Sequence, residues 1–190
     1  MKQFILDTKL QVLSENVIKN IDEINALFEQ GAHINKAAFL NALRGNRSPV
    51  LYLFDSEKSQ KENFKFDVYM QHLLADSQLQ FSPICEAVRV NNMYVAEKLK
   101  NAGANVKEIT EDCVVEMISR AYSVSPLLSL GVEENVLARA LANVDDEYLT
   151  GMLDRFNSVE DILKAGVSED RLKELIDTNL PLWVAEKNKV

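Results

Sequence analysis

The stretch from Ser82 to Val106, SPICEAVRVNNMYVAEKLKNAGANV, constrains the fold of this chain more than any other. Its apolar residues recur at helical spacing in each half, and an Asn-Asn pair typical of a turn lies between the halves. Ser82 predicts a helix cap with Pro83 in the first turn, and Gly103 follows the second helix where a left-handed residue commonly ends a helix. Helices this short rarely hold alone in water, so the segment predicts neighbouring helices that stack on it.

Related segments recur along the chain at irregular spacing. Four segments have apolar residues at helical spacing and end in a glycine: Gly31, Gly103, Gly131 and Gly166. Residues 37–54 also align with residues 82–99 without a gap, which predicts a helix pair of the same kind. Pro126 falls inside an expected second helix, so that helix must begin late or kink. Because such units bury their apolar faces only against one another, the pattern predicts a stack of about four to five helix pairs.

The segment from Ser82 to Val106 resembles one repeat of the ankyrin family. The family pattern opens with Thr-Pro-Leu-His-x-Ala, continues with a second helix rich in Val and Leu, and closes with Gly-Ala-x-Val. Here Ser-Pro-Ile-Cys-Glu-Ala stands at the opening, with Cys85 in place of the histidine, and Gly-Ala-Asn-Val stands at the close. The resemblance implies an all-α fold, an α-solenoid of stacked antiparallel helix pairs, that occupies residues 1–190 as a single domain.

Two segments interrupt the repeated pattern. The polar stretch 55–67, DSEKSQKENFKFD, is predicted to be an insertion between repeats, either a solvated loop or a contact loop with Phe64 and Phe66 as aromatic anchors. Residues 168–190 are predicted to cap the open end of the stack, with Pro181 ending a helix before Trp183. A short partner-binding tail is the alternative for this end of the chain.

In the ankyrin family, partners dock at exposed positions that flank the opening motif and occupy the turn. The resemblance implies these partner-binding residues around the best-matching repeat: Phe81, Arg89, Val90, Asn105, Lys107 and Glu108. The matching residues of the preceding repeat are His33, Asn35, Lys36 and Arg44. Aromatic residues and arginine are the usual anchors of interfaces, which favours Phe81, Arg44 and Arg89. The alternative is that Phe81 packs under the insertion and that the arginines are ordinary surface residues.

Charge is distributed unevenly along the chain. Residues 108–177 contain 16 acidic and 6 basic residues, a net charge of −10, although the whole chain has a net charge of −8. This balance argues against nucleic acid as a partner, because phosphate binding needs clustered Lys and Arg. The acidic half would attract a protein with a basic surface, or its acids serve only to solvate turns and cap helices. No apolar run approaches the roughly 18 residues of a membrane span, and the N-terminus lacks the pattern of a secretory signal.

No motif in the sequence predicts catalysis, a metal or a cofactor. His33 and His72 are the only histidines, and neither is spaced with a cysteine as zinc ligands are. A Gly-rich phosphate loop and a G-x-S-x-G nucleophile turn are also absent from the sequence. Cys85 and Cys113 are expected to be buried reduced thiols, with a disulfide between adjacent repeats as the alternative.

The sequence therefore predicts a protein–protein interaction module that is neither an enzyme nor a cofactor carrier. It is expected to be a cytoplasmic monomer that binds, sequesters or recruits a partner protein through a concave face and the turns between repeats. An enzyme with a site assembled across the repeats is the alternative. By family analogy, a secreted bacterial effector that acts in a host cytosol, or an acidic inhibitor of a basic toxin or nuclease, is a further hypothesis.

Overall fold

The structure is a computed structural model, and it describes residues 2–45, 67–76, 79–121, 123–155 and 158–187. Helices are the regular elements of these ranges, which contain no strand, so the predicted all-α class is confirmed for the described residues. The finer prediction of an ankyrin-type solenoid stays a prediction. Within the same ranges, no helix combines the length and the apolar character needed to cross a membrane. The predicted insertion 55–67 lies outside the described residues, apart from Asp67.

The chain folds into two compact units. The first unit comprises Met1–Ala87 and Asn92–Asn105, and the second comprises Val88–Asn91 and Val106–Val190. The prediction of one repeat domain over residues 1–190 is not decided by this division and stays a prediction.

The first unit is built around three helices that pack on a short 3₁₀ turn. Its helices are α1 (Lys2–Leu13), α2 (Val17–Glu29), α3 (Lys36–Gly45), α4 (helical residues 67–75), α5 (Pro83–Arg89, whose last two residues belong to the second unit) and α6 (Met93–Asn101). The 3₁₀ turn Ser14–Asn16 contacts α1, α2 and α3. Asn16 then caps α2, because its side-chain oxygen accepts a hydrogen bond from the N–H of Lys19 at 3.1 Å. The helical spacing of apolar residues on α2 gives its inward face, which buries Val17, Ile21, Ile24 and Leu27.

One buried polar contact lies within this apolar core. The hydroxyl of Ser14 donates to the carbonyl of Leu10 at 2.7 Å and lies 3.4 Å from the hydroxyl of Tyr69. Tyr69 is completely buried, and this burial raises the pKa of its phenol well above the ordinary value. The contact holds α4 against the 3₁₀ turn without leaving the serine hydroxyl unsatisfied.

The second unit contains six described helices that pack in pairs. They are α7 (Glu111–Ala121), α8 (Ser125–Leu130), α9 (Glu134–Ala142), α10 (Asp146–Arg155), α11 (Val159–Lys164) and α12 (Glu169–Lys187), preceded by a 3₁₀ turn at Val106–Glu108. The packed pairs are α7 with α9, α8 with α11, and α10 with α12. The Arg171 guanidinium of α12 closes the end of α9, since it donates to the carbonyls of Leu141 and Val144 at 3.4 and 2.6 Å. The same group pairs with the carboxylate of Asp146 at 2.8 Å.

Four helix ends share one hydrogen-bonded turn, which confirms the recurrence predicted from sequence. Each turn contains a glycine with positive φ: Gly31 (90°), Gly103 (101°), Gly131 (86°) and Gly166 (89°). In every case the glycine N–H donates to the carbonyl three residues earlier, and the next N–H donates to the carbonyl five residues earlier, at 2.9–3.3 Å. This is the Schellman arrangement, in which a left-handed residue allows the last helical carbonyls to be satisfied. Asn91, with φ 56°, closes α5 with the same two bonds.

In each of the four turns, an apolar residue and then a polar residue follow the glycine. The first position after the glycine is apolar in all four turns: Ala32, Ala104, Val132 and Val167. The second position carries a different polar side chain each time: His33, Asn105, Glu133 and Ser168. Because the hydrogen bonds fix the backbone, the second position presents varied chemistry at a constant place in the turn.

Of the two predictions made for prolines, the one for Pro126 is confirmed and the one for Pro181 is wrong. Helix α8 begins late, with Pro126 in its first turn where no amide donor is needed, as predicted. Pro181 does not end a helix, because α12 continues through it to Lys187. A proline in a helix interior costs about 3 kcal/mol, but this cost is local, and four of the six residues that follow are good helix formers: Leu182, Ala185, Glu186 and Lys187.

The predicted reduced thiols are also a wrong prediction, since both Cys85 and Cys113 are disulfide-bonded. The sequence argument rested on burial, and both residues are indeed buried, at 6% and 0% exposure. Burial alone does not separate a thiol from a disulfide sulfur, because both behave as small apolar groups.

Candidate protein-binding surfaces

The ten predicted partner-binding residues fall on both units. The first unit carries His33, Asn35, Lys36, Arg44, Phe81 and Asn105. The second unit carries Arg89, Val90, Lys107 and Glu108. Their assignment to a partner stays a prediction.

His33 and Asn35 both build the turn between α2 and α3. The N–H of His33 donates to the Asp7 carboxylate at 2.9 Å, and its ring Nδ1 lies 3.3 Å from both oxygens of Asp76. The side-chain oxygen of Asn35 accepts from the N–H of Ala38 at 2.8 Å and so caps α3. These two residues therefore connect α1, α3 and the residue that follows α4, in addition to any surface role.

Lys36 and Phe81 also have partners inside the first unit. The Lys36 ammonium lies 2.6 Å from an oxygen of Glu86, a side chain only 6% exposed, whereas that of Lys36 is 50% exposed. The centroid of the Phe81 ring lies 5.7 Å from that of Phe39, which is completely buried. Phe81 thus packs on the core of the unit with part of its surface in contact with solvent. The alternative that Phe81 packs under the insertion concerns residues outside the described ranges.

Arg89 is the most enclosed of the predicted residues in the second unit. Its Nη1 donates to Glu116 of α7 at 2.5 Å, and its Nη2 lies 3.4 Å from the sulfur of Cys113. Val90, beside it, is half-buried. Arg89 therefore fixes the end of α5 to α7, and its guanidinium has limited freedom to reach a separate protein.

Six of the ten predicted residues are exposed: Asn35, Lys36, Arg44, Asn105, Lys107 and Glu108. Asn105, Lys107 and Glu108 are all exposed, and Lys107 is 77% exposed with an ion pair to Glu133 at 3.4 Å. Such a pair between exposed side chains contributes about 0–1 kcal/mol, so a partner can displace it at little cost. This segment, defined here as residues 105–108, contains three of the six exposed side chains of the predicted set.

A second surface, on α1 and α2, was not predicted from the sequence. Phe4, Ile5 and Val12 of α1 are 74%, 46% and 60% exposed. Val12 also lines a groove of about 470 Å³, to which α1 contributes Thr8, Lys9, Val12 and Leu13, and α2 contributes Glu23, Ala26 and Leu27. The signal was present in the sequence KQFILDTKLQVL, whose apolar residues exceed what one buried helix face can hold.

Charged side chains elsewhere hold helices together. The Lys98 ammonium of α6 lies 2.5 Å from Asp67 of α4 and 5.5 Å from the centroid of the Tyr94 ring. Burial acts to lower the pKa of Lys98, but the hydrogen bond to Asp67 and the neighbouring charges outweigh it and raise the pKa overall. For Tyr94, whose charged form is the anion, burial instead raises the pKa.

In the second unit, Asp161 connects α11 to α8. Its carboxylate accepts a hydrogen bond from the Ser125 hydroxyl at 2.8 Å, and this bond lowers the pKa of Asp161. Among the residues that the structure describes, no group of three or more His, Cys, Asp or Glu is arranged to hold a metal ion.

Comparison with known proteins adds no family to this description. No protein-family model, no curated protein and no solved structure matches the chain.

Proposed function

We propose that this chain is a protein-binding module made of ankyrin-like helical repeats, and that it binds its partner through the turns and the concave face that the resemblance implies. The observation that supports the proposal is the four-fold recurrence of one Schellman turn with an apolar first position and a varied polar second position. A repeat with a constant backbone and variable exposed side chains is how solenoid proteins recognise other proteins.

The partner that fits best has a basic surface. Most of the chain's negative charge lies in residues 108–177, and the exposed Glu108 and Glu133 extend it to the turns. Long-range attraction of this kind accelerates association more than it increases affinity, and salt screens it. The proposed mechanism is occupation of the partner's surface, by which the module sequesters, inhibits or recruits that protein, as an effector or an inhibitor would.

The direct test is capture of the partner by the tagged full-length chain in the organism that encodes it. The informative variant exchanges two charges, Lys107→Glu with Glu108→Lys, and keeps the net charge constant. The matched control makes the same exchange on exposed helix positions, Lys19→Glu with Glu97→Lys. We expect the wild type and the control to retain a stoichiometric protein, and the variant to bind it about tenfold or more weakly.

Equal retention by the variant and the control would remove segment 105–108 from the binding surface. Absence of any stoichiometric protein partner from the wild type would contradict the proposed function itself.

The proposed cytoplasmic location is tested by the oxidation state of the cysteines. Both are disulfide-bonded here, and disulfides are rare in reducing compartments. Cells are lysed in the presence of an alkylating reagent, and the mass of the intact protein is then measured. Two alkylated cysteines support a reducing location such as the cytoplasm, whereas an unmodified, oxidised protein places the chain in an oxidising compartment.

A further inference from the structure

The disulfide sulfur of Cys113 lies beside a cation and a hydroxyl. The chain has two cysteines, and both are disulfide-bonded. The Nη2 of Arg89 donates to the sulfur of Cys113 at 3.4 Å, and the hydroxyl of Thr110 lies 3.3 Å from the same sulfur. Because Cys113 is completely buried, these two groups stand where water would otherwise solvate the sulfur.

These surroundings stabilise a thiolate more than they stabilise a disulfide sulfur. A neutral sulfur is a weak hydrogen-bond acceptor, whereas a thiolate carries a full negative charge that a guanidinium and a hydroxyl stabilise. Burial alone disfavours the thiolate, and the positive charge of Arg89 opposes this cost. Stabilisation of the reduced form makes a disulfide easier to reduce, and a sulfur that is stabilised as a thiolate leaves faster.

We propose that the disulfide at Cys113 is a redox switch that thiols of the glutathione class reduce, and that Arg89 then holds the Cys113 sulfur as a thiolate. A reductant thiolate attacks the sulfur bonded to Cys113, the S–S bond breaks, and its electron pair stays on the Cys113 sulfur. A second reductant thiolate attacks the mixed disulfide and releases the other protein sulfur, which takes up a proton from solvent. The protein gains two electrons, and the two reductant molecules become one disulfide.

The switch lies next to segment 105–108. The carbonyl of Thr110 accepts from the N–H groups of Cys113 and Val114 at 3.1 and 3.2 Å, so Thr110 is part of the first turn of α7. Only Ile109 separates Thr110 from the segment. Reduction removes the covalent anchor of this turn and thereby changes the order of the segment. The inference rests on the proposed function, because it assigns a regulation to the same surface, and cytosolic disulfides are usually transient or redox-sensing.

The test is the thiol–disulfide equilibrium of the full chain in glutathione buffers, with thiols trapped by alkylation and counted from the mass of the intact protein. We expect a buffer poised like the cytosolic glutathione pool to reduce at least half of the wild type. Arg89→Gln should lower the equilibrium constant for reduction by about tenfold, which is about 30 mV for a two-electron couple. Thr110→Val should lower it by a smaller factor, because it removes a neutral donor.

Glu116→Gln separates the effect of the Arg89 charge from a loss of packing. Arg89 also donates to Glu116 at 2.5 Å, so Arg89→Gln and Glu116→Gln break the same ion pair. A purely structural role would shift both equilibrium constants in the same direction. A thiolate held by Arg89 instead predicts a higher constant for Glu116→Gln, because no carboxylate then competes for the guanidinium. Circular dichroism confirms that each variant keeps its helix content.

Hydrogen–deuterium exchange of the oxidised and the reduced chain tests the link to segment 105–108. We expect the amides of residues 105–112 to exchange faster after reduction, and those of residues 167–171, at the start of α12, to be unchanged. The proposal is overturned by a wild type that stays oxidised in the glutathione buffer, by shifts of the two charge variants in one direction, or by equal exchange of residues 105–112 in both states. These measurements need no partner, so their failure is distinct from a failure of partner capture.

Discussion

The turns at Gly103 and Gly166 have the same backbone but different surroundings. Their φ angles are 101° and 89°, and both close with the same two hydrogen bonds. A Cβ added at Gly103 would have no atom within 4 Å, whereas one added at Gly166 would lie 2.5 Å from the Cβ of Ala138 on α9. Gly103 is therefore required only by its backbone conformation, and Gly166 by its conformation and by close packing as well.

A glycine in such a turn can be required by its backbone conformation or by close packing, and the sequence pattern does not distinguish these two requirements. The turn itself depends on local hydrogen bonds, which is why it recurs in both units. The contact at Gly166 depends on a residue 28 positions earlier, which no local pattern records. Substitutions at the two glycines should consequently differ in size, although the sequence motif treats them as equivalent.

The largest effect is expected for Gly166→Ala. The left-handed conformation costs alanine about 1–2 kcal/mol, and the contact with Ala138 adds about 1–3 kcal/mol of overpacking. Urea denaturation should show a loss of about 2–5 kcal/mol in the free energy of unfolding. Adding Ala138→Gly should recover part of this loss, and a double-mutant cycle that shows no coupling between the two positions would contradict the packing contact.

The next effect concerns ion pairs in enclosed and open environments. Lys36→Met removes the cation that lies 2.6 Å from the Glu86 carboxylate, a side chain only 6% exposed. We expect a loss of about 1–3 kcal/mol in the free energy of unfolding, because a charge-assisted bond to a buried group is removed. Glu133→Gln, which removes the exposed Lys107 pair, should change it by less than about 0.5 kcal/mol. Similar losses for the two variants in denaturant titrations would contradict the difference in burial.

Gly103→Ala should have a smaller effect than Gly166→Ala. Only the conformational cost of about 1–2 kcal/mol applies, since the added methyl group meets no atom. Gly31→Ala should match it, because a Cβ there also has open space. Gly103→Asn should cost less than Gly103→Ala, as asparagine tolerates positive φ and Asn91 already adopts it. Thermal unfolding of the three variants ranks them, and an alanine effect at Gly103 equal to that at Gly166 would disprove the comparison.

The smallest effect is expected for Asp161→Asn, which removes a charge-assisted bond from the helix that precedes Gly166. The pKa of Asp161 is lowered from 3.8 by the Ser125 hydrogen bond, so the carboxylate stabilises the folded protein above that pH. This contribution is lost as the pH falls through the folded-state pKa. The stability difference between wild type and variant should therefore be present at neutral pH and disappear in acid. A difference that persists in strong acid would show that the carboxylate charge is not its source.

Local signals predicted more of this molecule than long-range ones. The glycine turns, the Asn91–Asn92 turn and the late start of α8 at Pro126 all follow from residues within one helix turn of each other. The disulfide state of the cysteines and the enclosure of Arg89 depend on residues more than 20 positions apart, so no local pattern could reveal them.

The outward face of α1 was missed for a related reason. Phe4 and Val12 fit a helix pattern as well as the buried Leu6 and Leu10 do, and only the packing of α2 and α3 decides which face is covered. The helix through Pro181 was not predicted, because an interior proline disfavours a helix, although Leu182, Ala185 and Glu186 after it favour one.

The functional account depends on the claim that segment 105–108 touches a partner. Site-specific photocrosslinking in living cells measures this directly, with a crosslinking amino acid at position 107 and, as the matched control, at the exposed position 97 of α6. The account predicts one discrete protein adduct from position 107 and none from position 97. The same adducts from both positions, or none from position 107, would contradict it.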